Sequence, residues 1–151
     1  MNSISAYLNF QGNTEEAFNF YKSVFGGEFA ALQRFKDMPD MPGAMKVDDK
    51  DKNKILHISL SLGKDVTIMG SDALESHGQK LIFGNNAYLS IDAESEEEAG
   101  RIFKELSSGG KIEMPLQKMF WGALYASFTD KYGVQWMINH SFEQRPLESG
   151  F

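Results

Sequence analysis

The chain repeats itself. "AYLNFQGNTEEAFNFYKSVFGG" at 6–27 and "AYLSIDAESEEEAGRIFKELSSGG" at 87–110 follow one plan: a short alternating strand, an acidic helix start, an apolar helical stripe and a Gly-Gly stop. In a chain of 151 residues such a repeat leaves room for one domain of two like modules, and too little for two independent cores. In the first copy Asn13, with Glu16 three residues on, predicts a helix start, and Ala17, Phe20, Tyr21 and Val24 have the spacing of a buried face. In the second, Ser95 and Glu98 form a capping box and Ala99, Ile102, Phe103 and Leu106 make the stripe. The glutamates between 94 and 98 read as the solvated first turn of that helix. Gly26 and Gly109 supply the positive φ that ends a helix.

Three strand-like segments follow each helix, at 28–36, 54–62 and 65–70, then at 110–114, 122–129 and 134–139. The last two in each set form hairpins through Gly63-Lys64 and through Asp130–Gly133. The expected fold is therefore α+β: two tandem βαβββ modules, about 1–72 and 83–140, within a single domain, each sheet covered by a helix on one face.

Parity along each strand sorts the faces. Ala6, Leu8 and Phe10, then Ala87, Leu89 and Ile91, belong under the helices, which leaves Ser5, Tyr7 and Asn9, and Asn86, Tyr88 and Ser90, on the open face. In 55–62 the core set is Leu56, Ile58, Leu60 and Leu62, with Ile55, His57, Ser59 and Ser61 opposite. Matching the hairpins aligns His57 with Tyr125. It sends Leu124, Ala126, Phe128, Val134, Trp136 and Ile138 under the helix, and Trp121, Ala123, Tyr125, Ser127, Gln135, Met137 and Asn139 to the open face. Tyr7, Asn9, His57, Ser59, Met69, Asn86, Tyr88, Trp121, Tyr125 and Met137 thus form a mixed aromatic and polar surface, the composition of a small-molecule pocket or a dimer seam.

Composition narrows the functions. Apolar residues at 42% and charged residues at 24% exclude a disordered chain. A net charge of −6 without a basic cluster argues against nucleic acid. No apolar run reaches the roughly 18 residues of a membrane span and no basic-then-apolar leader opens the chain, so a cytoplasmic protein is expected. The absence of cysteine removes thiolate nucleophiles and Cys-based metal sites. His57 is the candidate acid/base, although no acidic residue of matching parity orients it. Its alternative is a structural histidine. His77 reads as a surface residue, His140 as the rim of the last strand, and Asp72 as a turn cap. The long 37–53 segment, with Met38, Met41 and Met45 among prolines, reads as a lid or a mobile excursion.

The tandem halves, together with "ILHISLSLGKDVTIMGSD" and the Gly-Gly, Met-Pro-Leu, Phe-Trp-Gly and Tyr-Gly-Val-x-Trp series, resemble the PhnB-like branch of the vicinal oxygen chelate superfamily of glyoxalases, bleomycin-resistance proteins and dioxygenases. The resemblance implies a curved sheet cup with helices on the outer face, a ligand inside, and a homodimer. Metal-dependent members carry His and Glu ligands at positions that fall here on Ser5 (or Ala6), Met69, Asn86 and Met137, so no metal and no cofactor is expected. Members of the branch are often labelled methyltransferases, but no Gly-rich strand-to-helix turn for a methyl donor is present. The expected activity is binding of a small organic molecule. A metal-dependent lyase or isomerase using His57, with metal held by His57, Asn86 and Asp72, and a dimeric interaction module without ligand are the alternatives.

Overall fold

The first helix is started by a carboxylate distant in sequence. In the computed structural model, which describes residues 1–39 and 41–142, α1 (Thr14–Phe25) has Asn13 at its N-cap position, yet the Asn13 side chain makes no capping bond. Instead Oδ1 of Asp72 accepts from the backbone N–H of Gly12 (2.8 Å) and Thr14 (3.1 Å) and from the Thr14 hydroxyl (2.6 Å). Oδ2 accepts from the N–H of Ile55 at 2.8 Å. Buried N–H groups at a helix start need an acceptor, and an anion there also meets the positive end of the helix dipole.

The chain divides into two compact units, Met1–Ile82, which contains this node, and a second that begins at Phe83. In the first, β1 (Ala6–Phe10), β2 (Glu28–Arg34), β3 (Ile55–Gly63) and β4 (Val66–Asp72) make a sheet ordered β1-β4-β3-β2, with β1 parallel to β4 and the other pairs antiparallel. In the second, β5 (Leu89–Asp92), β6 (Lys111–Met119), β7 (Ala123–Thr129) and β8 (Gln135–Ser141) repeat the plan as β5-β8-β7-β6, with α2 at Glu96–Leu106. The tandem βαβββ reading therefore holds. Each helix packs on the central strands of its own sheet, α1 on β3 and β4, α2 on β7 and β8.

The buried face of α1 is Thr14, Ala17, Phe18, Tyr21 and Val24, so Phe18 replaces the expected Phe20, which is half-buried. The sheet decides between them. A Cβ at Gly70 would lie 2.7 Å from both the Leu8 carbonyl oxygen and the Phe18 ring, so the missing side chain is the space that Phe18 fills. Phe18 also meets Phe10 and Tyr21 edge to face. The bidentate pair of Arg34 with Glu15, at 2.9 and 2.7 Å, ties α1 to the end of β2.

In the second unit Ser95 caps α2 as expected, its Oγ accepting from the Glu98 N–H at 3.0 Å. Glu98 reaches back to the N–H of Glu94 rather than that of Ser95. Phe103 meets Phe128 edge to face. The second glycine of each Gly-Gly pair permits a close approach: a Cβ on Gly27 would collide with the Ser61 carbonyl oxygen, and one on Gly110 with that of Thr129.

Four strand expectations are corrected. β1 begins at Ala6, so Ser5, expected on its open face, precedes it. Ile55 is buried, not on the open face, because Gln33 pairs with His57 and Arg34 with Ile55, leaving Leu56 as an extra residue that breaks the alternation. β6 runs past 114 to Met119 through Pro115, which an edge strand accepts where its register slips. β5 begins at Leu89, so Asn86 and Tyr88 precede it. Of the 37–53 stretch, residue 40 lies outside the described residues. The far end of that stretch is fixed by Asp51, buried, paired with the Lys54 ammonium at 2.7 Å and accepting from the Ser76 hydroxyl at 2.7 Å.

Candidate functional site

Trp136 and Trp121 part company as expected. Trp136 is core on β8, its indole N–H donating to Asp130 Oδ2 at 2.8 Å, while Asp130 Oδ1 accepts from the N–H groups of Tyr132 and Val134 and shapes the hairpin. Trp121 stands in the turn before β7, half-exposed, on the side of Tyr125.

Strand register builds the open face of the second sheet in rows. Asp92 pairs with Asn139 and Asn139 with Tyr125; Ser90 pairs with Met137 and Met137 with Ser127. Above these rows Trp121 meets Tyr125 nearly at right angles, ring centres 6.2 Å apart and planes at 71°. The result is a cavity of about 320 Å³ lined by Ser90, Asp92, Trp121, Tyr125, Met137 and Asn139.

Three expected site residues, Trp121, Tyr125 and Met137, are thus brought together. Asn86 and Tyr88 are not among the lining residues. The Tyr88 hydroxyl donates to both oxygens of Glu113, at 3.0 and 2.8 Å, and that carboxylate, with some burial, holds the phenol above its usual range. Sequence reasoning placed Ser90 and Asn139 on this face without assigning them to the site, and it missed Asp92 altogether. One more step of the same alternation, from Ser90 to position 92, finds it.

The open face of the first sheet carries the other expected residues. The Tyr7 hydroxyl lies 3.2 Å from His57 Nδ1, the two rings stacked with centres 5.8 Å apart. Among the described residues Tyr7 is the only side-chain hydrogen-bond partner of His57, so no carboxylate orients the imidazole. Met69 sits between Tyr7 and Ser59 in the strand register. Asn9 accepts from the Ser71 hydroxyl at 3.1 Å. Met38, Met41 and Met45 line a separate cavity of about 570 Å³ within their own loop, with Lys36, Lys46 and Lys52. His77 ends a short exposed 3₁₀ turn. His140 lies within β8, its Nδ1 2.8 Å from the Ala93 carbonyl oxygen and therefore carrying the proton.

The register also tests the metal positions. Tyr7 is the neighbour of Met69, and Ser90 of Met137. Thioether, phenol and hydroxyl groups do not make a donor set for Zn²⁺, Ni²⁺ or Fe²⁺. Asp72, one member of the alternative set, has both oxygens committed to the start of α1 and to β3. Among the described residues no three His, Asp or Glu side chains gather as a metal site would require. These residues do not make a metal site.

Comparison with known proteins agrees with this architecture. The model of the Glyoxalase/Bleomycin resistance protein/Dioxygenase superfamily matches residues 4–138. Protein YjdN of Escherichia coli (strain K12) is 36% identical over 154 residues, spanning 96% of this chain and 99% of its own. The crystal structure of protein PA1353 from Pseudomonas aeruginosa is 34% identical with a TM-score of 0.81, covering 93% of this chain and 98% of that one. The PhnB protein from Bacillus cereus, 28% identical, has a TM-score of 0.74 over 93% of this chain and 100% of its own.

Proposed function

The chain belongs to the Glyoxalase/Bleomycin resistance protein/Dioxygenase superfamily, and we propose that within it the protein binds a small organic molecule without using a metal. The observation that carries this reading is the cavity over β5, β8 and β7, which sets two aromatic walls and a thioether against a carboxylate, an amide and a hydroxyl. Apolar walls supply burial and a few fixed polar groups supply orientation, the general constitution of ligand sites. A solvated sheet face has no need of an indole braced against a phenol.

The test is titration of a library of small aromatic and polar compounds, read by the Trp121 indole N–H in a two-dimensional NMR spectrum. Saturable shifts at Trp121 that disappear in Trp121→Leu support binding at this site. A library that leaves Trp121 unmoved refutes it. Elemental analysis of protein purified without chelators or a metal-affinity tag should find metal well below one per chain. A stoichiometric transition metal would overturn the metal-free part of the reading. The homodimer implied by the family belongs to the same proposal, and light scattering that returns the monomer mass would remove it.

A second reading is favoured by one contact, Tyr7 to His57. A phenol hydrogen-bonded to imidazole can pass a proton, and such a pair is a possible acid/base couple for a lyase or isomerase. That activity would be lost in His57→Gln and reduced in Tyr7→Phe.

A further inference from the structure

The cavity on the second sheet's open face has one carboxylate among its lining residues, that of Asp92. The buried aspartates have structural duties: Asp72 starts α1, Asp51 pairs with Lys54, and Asp130 shapes a hairpin and holds Trp136; Asp92, at the end of β5, is exposed. Asp92 has none. Among the described residues no hydrogen bond or ion pair engages its carboxylate, and the nearby start of α2 is already satisfied by Ser95 and Glu98. Its side chain lines the cavity with Trp121 and Tyr125, and among the described residues no lysine, arginine or histidine lines it with them.

The first unit shows that the sheet does not require this charge. Ser59 pairs with Met69, and Ser127 with Met137, so these pairs mark equivalent positions. Counting outward, Asn9 of β1 corresponds to Asp92 of β5, because Asn9 lies two residues beyond the partner of Met69 and Asp92 two beyond the partner of Met137. Asn9 is neutral and bonded to Ser71. An unpaired anion that lines one cavity with an indole and a phenol attracts a positive charge by direct Coulomb attraction, and the rings add their quadrupoles. The net charge of −6 adds a field of the same sign.

Resting on the binding-site reading, we infer that the ligand of the Asp92–Trp121–Tyr125 cavity is an organic cation, of the class of alkylated ammonium compounds. The trimethylammonium head group sits against the indole and phenol rings, and the carboxylate faces it across the strand row. Anionic compounds of equal shape are repelled.

The test uses three probes of nearly one shape: choline, its neutral carbon isostere 3,3-dimethyl-1-butanol, and the anion 3,3-dimethylbutanoate. Each is titrated at constant ionic strength and followed at the Trp121 indole N–H. Choline is expected to bind about tenfold more tightly than the neutral isostere, the ratio given by a modest charge contribution in a partly open site. Asp92→Asn should erase that preference, leave the neutral compound's affinity in place, and leave the melting temperature unchanged. Equal binding of choline and the isostere, or tighter binding of the anion, overturns the cation inference while the binding-site reading stands. A lowered melting temperature in Asp92→Asn assigns the carboxylate a structural role and also overturns it. No response to any probe counts against both readings.

Discussion

Asp72 shows how much one side chain can hold together. Its two oxygens join the β1–α1 turn, the first residue of β3 and the end of β4, and all four donors point at a carboxylate that, among the described residues, no lysine or arginine balances. Asp72→Ala leaves those buried donors unsatisfied and is expected to cost about 3 kcal/mol or more, since hydrogen bonds to a charged group contribute roughly 1.5–3 kcal/mol each and do not add fully. Urea denaturation would measure it; a loss below about 1 kcal/mol would show that water replaces the carboxylate. Asp51 gives a pH dependence. The Lys54 ammonium, then the Ser76 hydroxyl, holds its carboxyl below the usual range in the folded chain. The unfolded chain therefore takes up the proton at a higher pH than the folded one. The stability this pair adds is present above about pH 4, the ordinary carboxylate value, and is lost as pH falls through the folded value. Asp51→Asn should be less stable than the parent at pH 6, and the difference should shrink at pH 3.

The elements were legible in the sequence where a period was long and unbroken. The strand register of β7 and β8 keeps the expected alternation: Ala126, Phe128, Trp136 and Ile138 are buried and Tyr125 and Met137 line the cavity, while Ala123, Ser127 and Gln135, expected on the open face, are buried as well and Val134 is only half-buried. Where the period breaks, reading failed locally. Ile55 changed sides because a bulge at Leu56 inserts one residue, a feature no alternation reveals. The repeat itself misled at β5. Its best match aligns Ala6 with Ala87, whereas the strand register aligns Ala6 with Leu89, a slip of two residues. A slip of two preserves parity, so the face was right while the residues matched to Tyr7 and Asn9 were Tyr88 and Ser90 in place of Ser90 and Asp92. Helix packing also differs between the copies. Phe18 on α1 fills the gap over Gly70; at the corresponding places α2 has Gly100 and β8 has Ile138, so the bulk has moved from helix to strand. A Cβ on Gly100 meets nothing within 4 Å and its φ is not positive. Gly100→Ala is therefore expected to stabilise the protein by about 0.5–1 kcal/mol, read as a raised melting temperature. A lowered one would mean that the helix surface there is occupied.

The two units keep one scaffold and differ in their chemistry. Both retain the Ser–Met strand pairs, but His57 stands where the second unit has Tyr125, and Asn9 where it has Asp92. The proposed specificity thus belongs to one repeat. The helix starts differ too, and that difference reaches into the time course of synthesis. α2 carries its own cap three residues from where it is needed, so its start requires nothing made after the helix itself. The carboxylate that starts α1 is 58 residues downstream of Thr14 and is made only when β4 is complete. A peptide spanning 93–109 should accordingly show more helix by circular dichroism than one spanning 11–27, and adding Asp72 in trans is no substitute for the closed sheet that delivers it. Two helices that look alike in sequence thus draw their caps from different reaches of the chain, the second from the residue beside it and the first from one made only after most of its unit.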